Sequence, residues 1–177
     1  MKSIDVIETA RLFGHRLVPD DFDVLHEMHT NPAVMATLGG VRTEDETRQT
    51  LARYLNDWQH DGFGLWALHS KSDRRFIGRG GLRRVFIGGS NEVEVGYALV
   101  PEFWGQGLAT EIATASVQVA FDDLGLPDLV AFTLPTNLAS RRVMEKCGFT
   151  FQRDIIWKDL PHVLYRLKRE SYDGLAK

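Results

Sequence analysis

The 177-residue chain is poor in cysteine and proline, with one and six respectively, and neither charge sign dominates. The lone Cys147 excludes an internal disulfide framework and a multi-cysteine zinc site. Such sparing use of cysteine points to a reducing, cytoplasmic compartment. No apolar run reaches the roughly 18 residues a membrane-spanning helix needs, and the opening MKSIDVIETARL lacks the apolar core of a secretion signal. Lys and Arg number 21 against 24 Asp and Glu, a net charge of −3. That balance argues against nucleic acid or an anionic membrane as partner. The histidines at 15, 26, 29, 60, 69 and 162 show no metal-ligand spacing, so no metal is expected.

What the chain does have is the composition of an ordinary globular domain, 44% hydrophobic and 25% charged. At this length folding buries about 70% of the surface an extended chain exposes. Neither linker, repeat nor low-complexity tract interrupts it, and a single domain over 1–177 is expected.

Periodicity supplies the elements. A strand is expected over Arg11 to Leu17, then a helix introduced by Pro19, Asp20 and Asp21 with Phe22, Leu25 and Met28 on one side. Asn31 and Pro32 punctuate. Thr43 with Glu46 has the form of a capping box, opening a helix with Leu51, Tyr54, Leu55 and Trp58 on one face, ended at Gly62 to Gly64. Strands Gly64 to Leu68, Phe76 to Leu82 and Val93 to Val100 then read as an antiparallel meander. After Gly105 and Gly107 comes a long helix directing Leu108, Ile112, Ala115, Val119 and Ala120 inward, with Gly125 as its stop. A strand Leu129 to Leu134, a helix Ala139 to Cys147 and strands near Phe149 to Trp157 and Val163 to Leu167 complete the chain. This order suggests a mixed α/β or α+β sheet.

Two stretches carry the chemical information. In EVEVGYALVPEFWGQGLATE (92–111) a strand runs through a glycine turn into a helix. The first N–H groups of such a helix have no intrahelical partner, and the helix dipole adds positive potential, so the turn suits phosphate. A turn built for packing alone fits the spacing equally well. No Walker A or Rossmann glycine pattern is present. In TLPTNLASRRVMEKCGF (133–149) Asn137 is positioned to cap a helix on which Ser140, Arg141, Met144 and Cys147 follow one another.

Together, EVGYALVPEFWGQGLATE and TNLASRRVMEKCGF resemble the coenzyme A motifs of the GNAT superfamily of N-acetyltransferases. The opening ETARLFGHRLVPDDFDVLHEMHTNPAVM is similar to that of its RimJ/RimL-like branch, so the likeness spans nearly the whole chain. The resemblance implies a mixed, mostly antiparallel central sheet flanked by helices, with acetyl-CoA as co-substrate and no metal. It implies that backbone around Ala98, Leu99 and Val100 meets the acetyl carbonyl and pantetheine, with a stabilising N–H near Leu99. Gln106, Gly107, Leu108, Ala109 and Thr110 would cradle the pyrophosphate, and Asn137 would touch pantetheine. Arg141, Arg142 and Lys146 would either meet coenzyme A phosphates or form a solvated face, the reading favoured here.

The implied reaction is direct attack of a primary amine on the thioester. An α-amine titrates near 8, so a base is required. Glu94 matches the family's catalytic position, with Glu92 on the same strand face as reserve. Many members use a tyrosine as acid where this chain has Met144, which cannot donate a proton; Ser140 is the implied substitute. Cys147 reads as a small buried hydrophobe. Trp58, Phe63, Trp66, Trp157 and Tyr165 are candidates to line the acceptor pocket or belong to the core. Arg74, Arg75, Arg79, Arg83 and Arg84 read as a solvated hairpin face, or as steering for an acidic partner. The acceptor is expected to be a small-molecule amine or a protein N-terminus, and a homodimer is compatible with the family. Met144 leaves open a catalytically impaired coenzyme A-binding module on the same fold.

Overall fold

The structure is a computed structural model describing residues 4–175. The expected domain also included residues 1–3 and 176–177, which lie outside the described residues. One mixed sheet of eight strands, with six of its seven neighbouring pairs antiparallel and one parallel, runs in the order β1-β2-β3-β4-β5-β6-β8-β7. The strands are β1 (Val6–Glu8), β2 (Leu12–Arg16), β3 (Leu65–Ser70), β4 (Phe76–Ile87), β5 (Ser90–Leu99), β6 (Asp128–Thr133), β7 (Thr150–Trp157) and β8 (Leu160–Lys168). Helices α1 (Phe22–Thr30), α2 (Pro32–Met35), α3 (Glu44–Asp61), α4 (Leu108–Gln118), α5 (Leu138–Lys146) and α6 (Arg169–Leu175) flank it. The sequence pattern missed β1, α2 and α6, all of them short.

Local chemistry explains the main elements. The capping box forms: Thr43 Oγ1 accepts from the Glu46 N–H at 3.3 Å and Glu46 Oε2 from the Thr43 N–H at 2.8 Å. The α3 helix it opens buries Leu51, Tyr54 and Trp58 and ends at Gly62. Asn31 does more than punctuate, because its Oδ1 accepts from Ala33 N–H at 3.0 Å and starts α2. Strands β4 and β5 are longer than their alternation suggests. Antiparallel pairing continues to Ile87 opposite Ser90 at a Gly88–Gly89 turn, although Phe86 there is exposed. On α4 the buried face is Leu108, Ile112, Ala113, Ser116 and Val117, whereas Ala115 and Val119 are half-buried, a correction to the expected set. A wide turn over Val119–Asp123, with Leu124 N–H bonded to Val119 O at 3.0 Å, then rotates the chain by one extra residue and buries Ala120 and Phe121.

The sheet has two covered faces. Alternation sets Glu94, Gly96 and Ala98 of β5 on one side and Val93, Val95, Tyr97 and Leu99 on the other. Ala98 packs with Leu25, Met28, Leu51, Tyr54, Leu65 and Ala67 beneath α1–α3. Val93, Val95 and Leu99 pack under α4 and α5 with Ala113, Val117, Ile112 and Met144. Strands β5 and β6 are parallel neighbours joined at a single registered pair, Glu94 with Val130. Beyond it the sheet opens into a gap.

Candidate functional site

The gap has a defined backbone lining. Val100 N–H donates to Ile77 O at 2.8 Å, so in the β4/β5 ladder Val100 and, two residues back, Ala98 spend their backbone groups on β4. Leu99 lies between them and turns its N–H and C=O the other way, toward β6. Its carbonyl accepts from the Trp104 indole Nε1 at 2.7 Å. Of the three residues expected to offer backbone to a ligand, only Leu99 therefore presents a donor to the gap. This narrows the expectation and disfavours Ala98 and Val100, whose groups are used inside the sheet.

Past β5 the chain turns through Gln106 and Gly107 into α4. Gly107 is the N-cap with φ 77°, a left-handed conformation open to glycine at little cost. No side chain caps the helix, and its first internal bond is Glu111 N–H to Gly107 O at 3.0 Å. The N–H groups of Leu108, Ala109 and Thr110 thus converge without an internal acceptor, the arrangement that takes an anion. Leu108 itself is buried by its side chain. A clamp absent from the sequence reading holds the turn. Arg11 donates from Nε to Glu111 Oε2 at 2.7 Å and from its guanidinium to Gln106 O at 2.8 Å, while Thr9 Oγ1 donates to Glu111 Oε1 at 2.5 Å. These contacts, with Arg11 N–H to Glu111, hold the Glu111 carboxyl below its ordinary range although burial pushes the other way.

Across the gap, after β6, Asn137 Oδ1 accepts from Ser140 N–H at 3.2 Å and caps α5, while its amide donates to Thr133 Oγ1 at 2.9 Å. Ser140 Oγ lies 3.0 Å from the Tyr97 hydroxyl, which reaches across from β5. Burial pushes the Tyr97 phenol well above its ordinary value, so it is protonated at neutral pH. Tyr97 was not singled out from sequence. Its place on the α4/α5 face of β5 was readable from alternation, but its partner, 43 residues on, was not.

On the opposite face Glu94 is buried and ion-paired: the Arg83 Nε donates to its carboxylate. Glu92 is also engaged, by Arg166 at 2.8 and 3.1 Å, and Arg166 reaches Asp128 at 2.8 Å as well. Beside Glu94 the surface is bare. A methyl group placed on Gly96 would have the Glu94 carboxyl as its nearest neighbour, at 3.8 Å. Space for a small group therefore lies against the carboxylate, between Glu94 and the end of β5.

Several expectations are revised. Arg79 and Arg83 are not a solvated hairpin face; Arg79 is buried and Arg83 pairs with Glu94, while Arg74, Arg75 and Arg84 are exposed. Trp58, Phe63, Trp66 and Tyr165 are core residues, and only Trp157 keeps partial exposure. Arg141 is held by Tyr165 Oη and Pro135 O, both at 3.1 Å, whereas Arg142 and Lys146 are exposed. Met144 is buried, and burial raises the Cys147 thiol as expected of a packing residue. His15, Asp21 and His69 each direct one potential ligand atom to within 4.8 Å of the others. They come from three separate elements, so no sequence spacing could have revealed them; His15 Nε2 already meets Asp21 Oδ1 at 3.0 Å.

The family described as acetyltransferase (GNAT) domain matches residues 11–150. An FsC-acetyl coenzyme A-N(2)-transacetylase of Aspergillus fumigatus is 33% identical over the whole of this chain and 82% of its own length. An acetyltransferase from Agrobacterium tumefaciens superposes with a TM-score of 0.83 at 27% identity, covering 96% of this chain and 97% of its own. The ribosomal L7/L12 α-N-protein acetyltransferase RimL, solved with coenzyme A, superposes at 0.76 with 17% identity over 94% of this chain and 99% of its own. At that identity the likeness is one of fold. Among the described residues no helix is long and apolar enough to cross a membrane.

Proposed function

Because the chain belongs to the GNAT acetyltransferase family, we propose that it moves the acetyl group of acetyl-CoA onto a primary amine held against Glu94, by direct attack. The single observation that carries this is the pairing of an uncapped, glycine-led α4 terminus with a free Leu99 N–H on one side of β5, and a buried carboxylate beside open space at Gly96 on the other.

Each residue's part follows from its chemistry. Leu108, Ala109 and Thr110 N–H groups, with the turn Gln106–Gly107, take the pyrophosphate, and Arg11 keeps that turn in shape. Asn137 borders the gap where pantetheine would lie. The Leu99 N–H faces the acetyl oxygen, where negative charge develops as the amine adds; one preorganised donor of this kind contributes a few kcal/mol. Glu94 takes the proton that the amine loses as its nitrogen bonds to the carbonyl carbon, directly or through one water. The carbon–sulfur bond then breaks, and the thiolate leaves against the Ser140 hydroxyl and takes its proton from solvent water relayed through Ser140 and its partner Tyr97, so that neither hydroxyl is left ionised. Glu92, two residues farther from Leu99 along β5 than Glu94, is the reserve.

The RimJ/RimL-like version, with a protein N-terminal amine as acceptor, is supported by the opening motif and by the fold of RimL. The name of the Aspergillus relative instead identifies an N(2) nitrogen of FsC as acceptor, which supports a small-molecule amine. The impaired-module alternative is not favoured, since a carboxylate and two linked hydroxyls remain at the site despite Met144. Thiol release from acetyl-CoA, measured with peptides and small amines, tests the reading. Amine-dependent release is expected; tight coenzyme A binding with no release for any amine would overturn it.

A further inference from the structure

Arg79 is 6% exposed, and its guanidinium makes no hydrogen bond and no ion pair within 4.0 Å among the described residues. Its Nε is a buried donor without an acceptor. A buried guanidinium left without a counter-charge is costly, and native proteins normally pair it. Among the described residues the Tyr54 ring faces it, 5.3 Å from the Arg79 Cζ.

Its surroundings deepen the imbalance. Arg42, Arg53 and Arg83 bear on the same Tyr54 phenol, holding it below its ordinary value although burial raises it. Lys158, on the β7–β8 turn, feels Arg53, Arg83 and Arg42 in turn. Arg42 spends its donors on neutral groups, Thr50 Oγ1 at 2.9 Å and His29 Nε2 at 3.5 Å. The carboxylates that act on this group are Glu94, already taken by Arg83, and Asp57. Five cations therefore surround the phenol with two carboxylates among them.

The position is specific. Arg79 stands opposite Ala98 in register, and Arg83 opposite Glu94, with the Gly81–Gly96 pair between them. All four side-chain-bearing residues lie on the α1–α3 face of the sheet, away from the α4 terminus that suits a pyrophosphate. Along β5, Glu94 stands two residues to one side of Gly96 and Ala98, the partner of Arg79, two residues to the other, so the carboxylate and the unpaired guanidinium spring from positions four residues or about 13 Å apart.

We propose that Arg79 is the recognition site for an oxyanion carried by the amine acceptor, so that the acceptor class is amines bearing a carboxylate or phosphate at the end remote from the nitrogen. The planar guanidinium fork matches either group, and its Nε–H supplies the donor that now lacks a partner. Glu94 holds the amine end and Arg79 the anionic end, which fixes both the orientation and the length of the acceptor. This inference rests on the acetyl-transfer reading above.

The test compares matched acceptors of graded length on the wild-type protein: β-alanine, 4-aminobutyrate and 6-aminohexanoate with their amides, and O-phosphoethanolamine against ethanolamine. Thiol release is followed together with the Arg79 Nε–H resonance in nuclear magnetic resonance titrations. An acidic member is expected to have a KM about tenfold or more below its neutral partner and to shift the Arg79 signal. Arg79→Met should erase that preference, bringing the KM values of acidic and neutral partners together. Preference for the carboxylate or the phosphate series assigns which oxyanion is used. Turnover of neutral and acidic partners with equal KM, or an unmoved Arg79 signal at saturating acceptor, would overturn the site while acetyl transfer stands. A shifted Arg79 signal with no thiol release from any amine would keep the anion site and overturn acetyl transfer instead. Should Arg79→Met fail to fold, the paired acceptors and the resonance still decide.

Discussion

Arg83 and Glu94 stand directly opposite each other on β4 and β5, and the guanidinium donates to the carboxylate across the pair. The arginine fixes the rotamer of a carboxylate that borders the space at Gly96. Glu94→Gln keeps the shape and much of the hydrogen bonding but removes the proton acceptor. Turnover is expected to fall about 100-fold, with coenzyme A affinity unchanged by calorimetry. Unaltered kcat would reject Glu94 as the base.

The Ser140–Tyr97 contact makes a second, separable claim. Ser140→Ala and Tyr97→Phe should each lower kcat about tenfold, and the double variant should lose little more than Ser140→Ala alone, because the two hydroxyls act in series. Fully additive losses would show that they do not form one relay.

Gly107 tests the anion cradle. Alanine at φ 77° costs on the order of 1–2 kcal/mol in backbone energy, although its methyl would find only Arg11 nearby, at 3.6 Å. Gly107→Ala should therefore weaken coenzyme A binding about tenfold and leave kcat at saturating acetyl-CoA close to wild type. A drop in kcat with no change in affinity would contradict the assignment.

His29 governs part of the acid stability. It is fully buried, and burial together with Arg79 and Arg42 lowers its pKa from 6.5 to about 3. In the unfolded chain the imidazole takes up a proton near 6.5 that the folded protein refuses. The contribution is therefore complete above that pH and drains away as pH falls toward 3, by at most about 1.4 kcal/mol per pH unit. Urea midpoints measured from pH 7 to pH 4 should show this slope in the wild type and a shallower one in His29→Gln. Parallel curves would reject it.

Much of this architecture was readable before any coordinates. The Thr43–Glu46 box, the strand pattern around Leu65 to Leu99 and the glycine turn before Leu108 are local signals, and each matched a local structure. The candidate site was legible where it depends on backbone, as at Gly107 to Thr110, and where one strand position decides, as at Glu94. Arg79 was misread because β4 is buried on both faces from Ile77 to Leu82, so the polar–apolar alternation that reveals an inward charge is absent. Arg11 was missed because its partner Glu111 lies a hundred residues along the chain. Contacts of that separation are decided by the assembled sheet, not by any window of sequence.

The single parallel pair between β5 and β6 has one more consequence. Where two neighbouring strands part company, each becomes an edge, and a protein's edges are normally kept at its margins, short or covered, because bare peptide groups recruit strands from other molecules. Here the edges sit in the centre of the sheet. An extended molecule lying between them would meet peptide groups from both strands, the same contact that elsewhere joins one strand to the next.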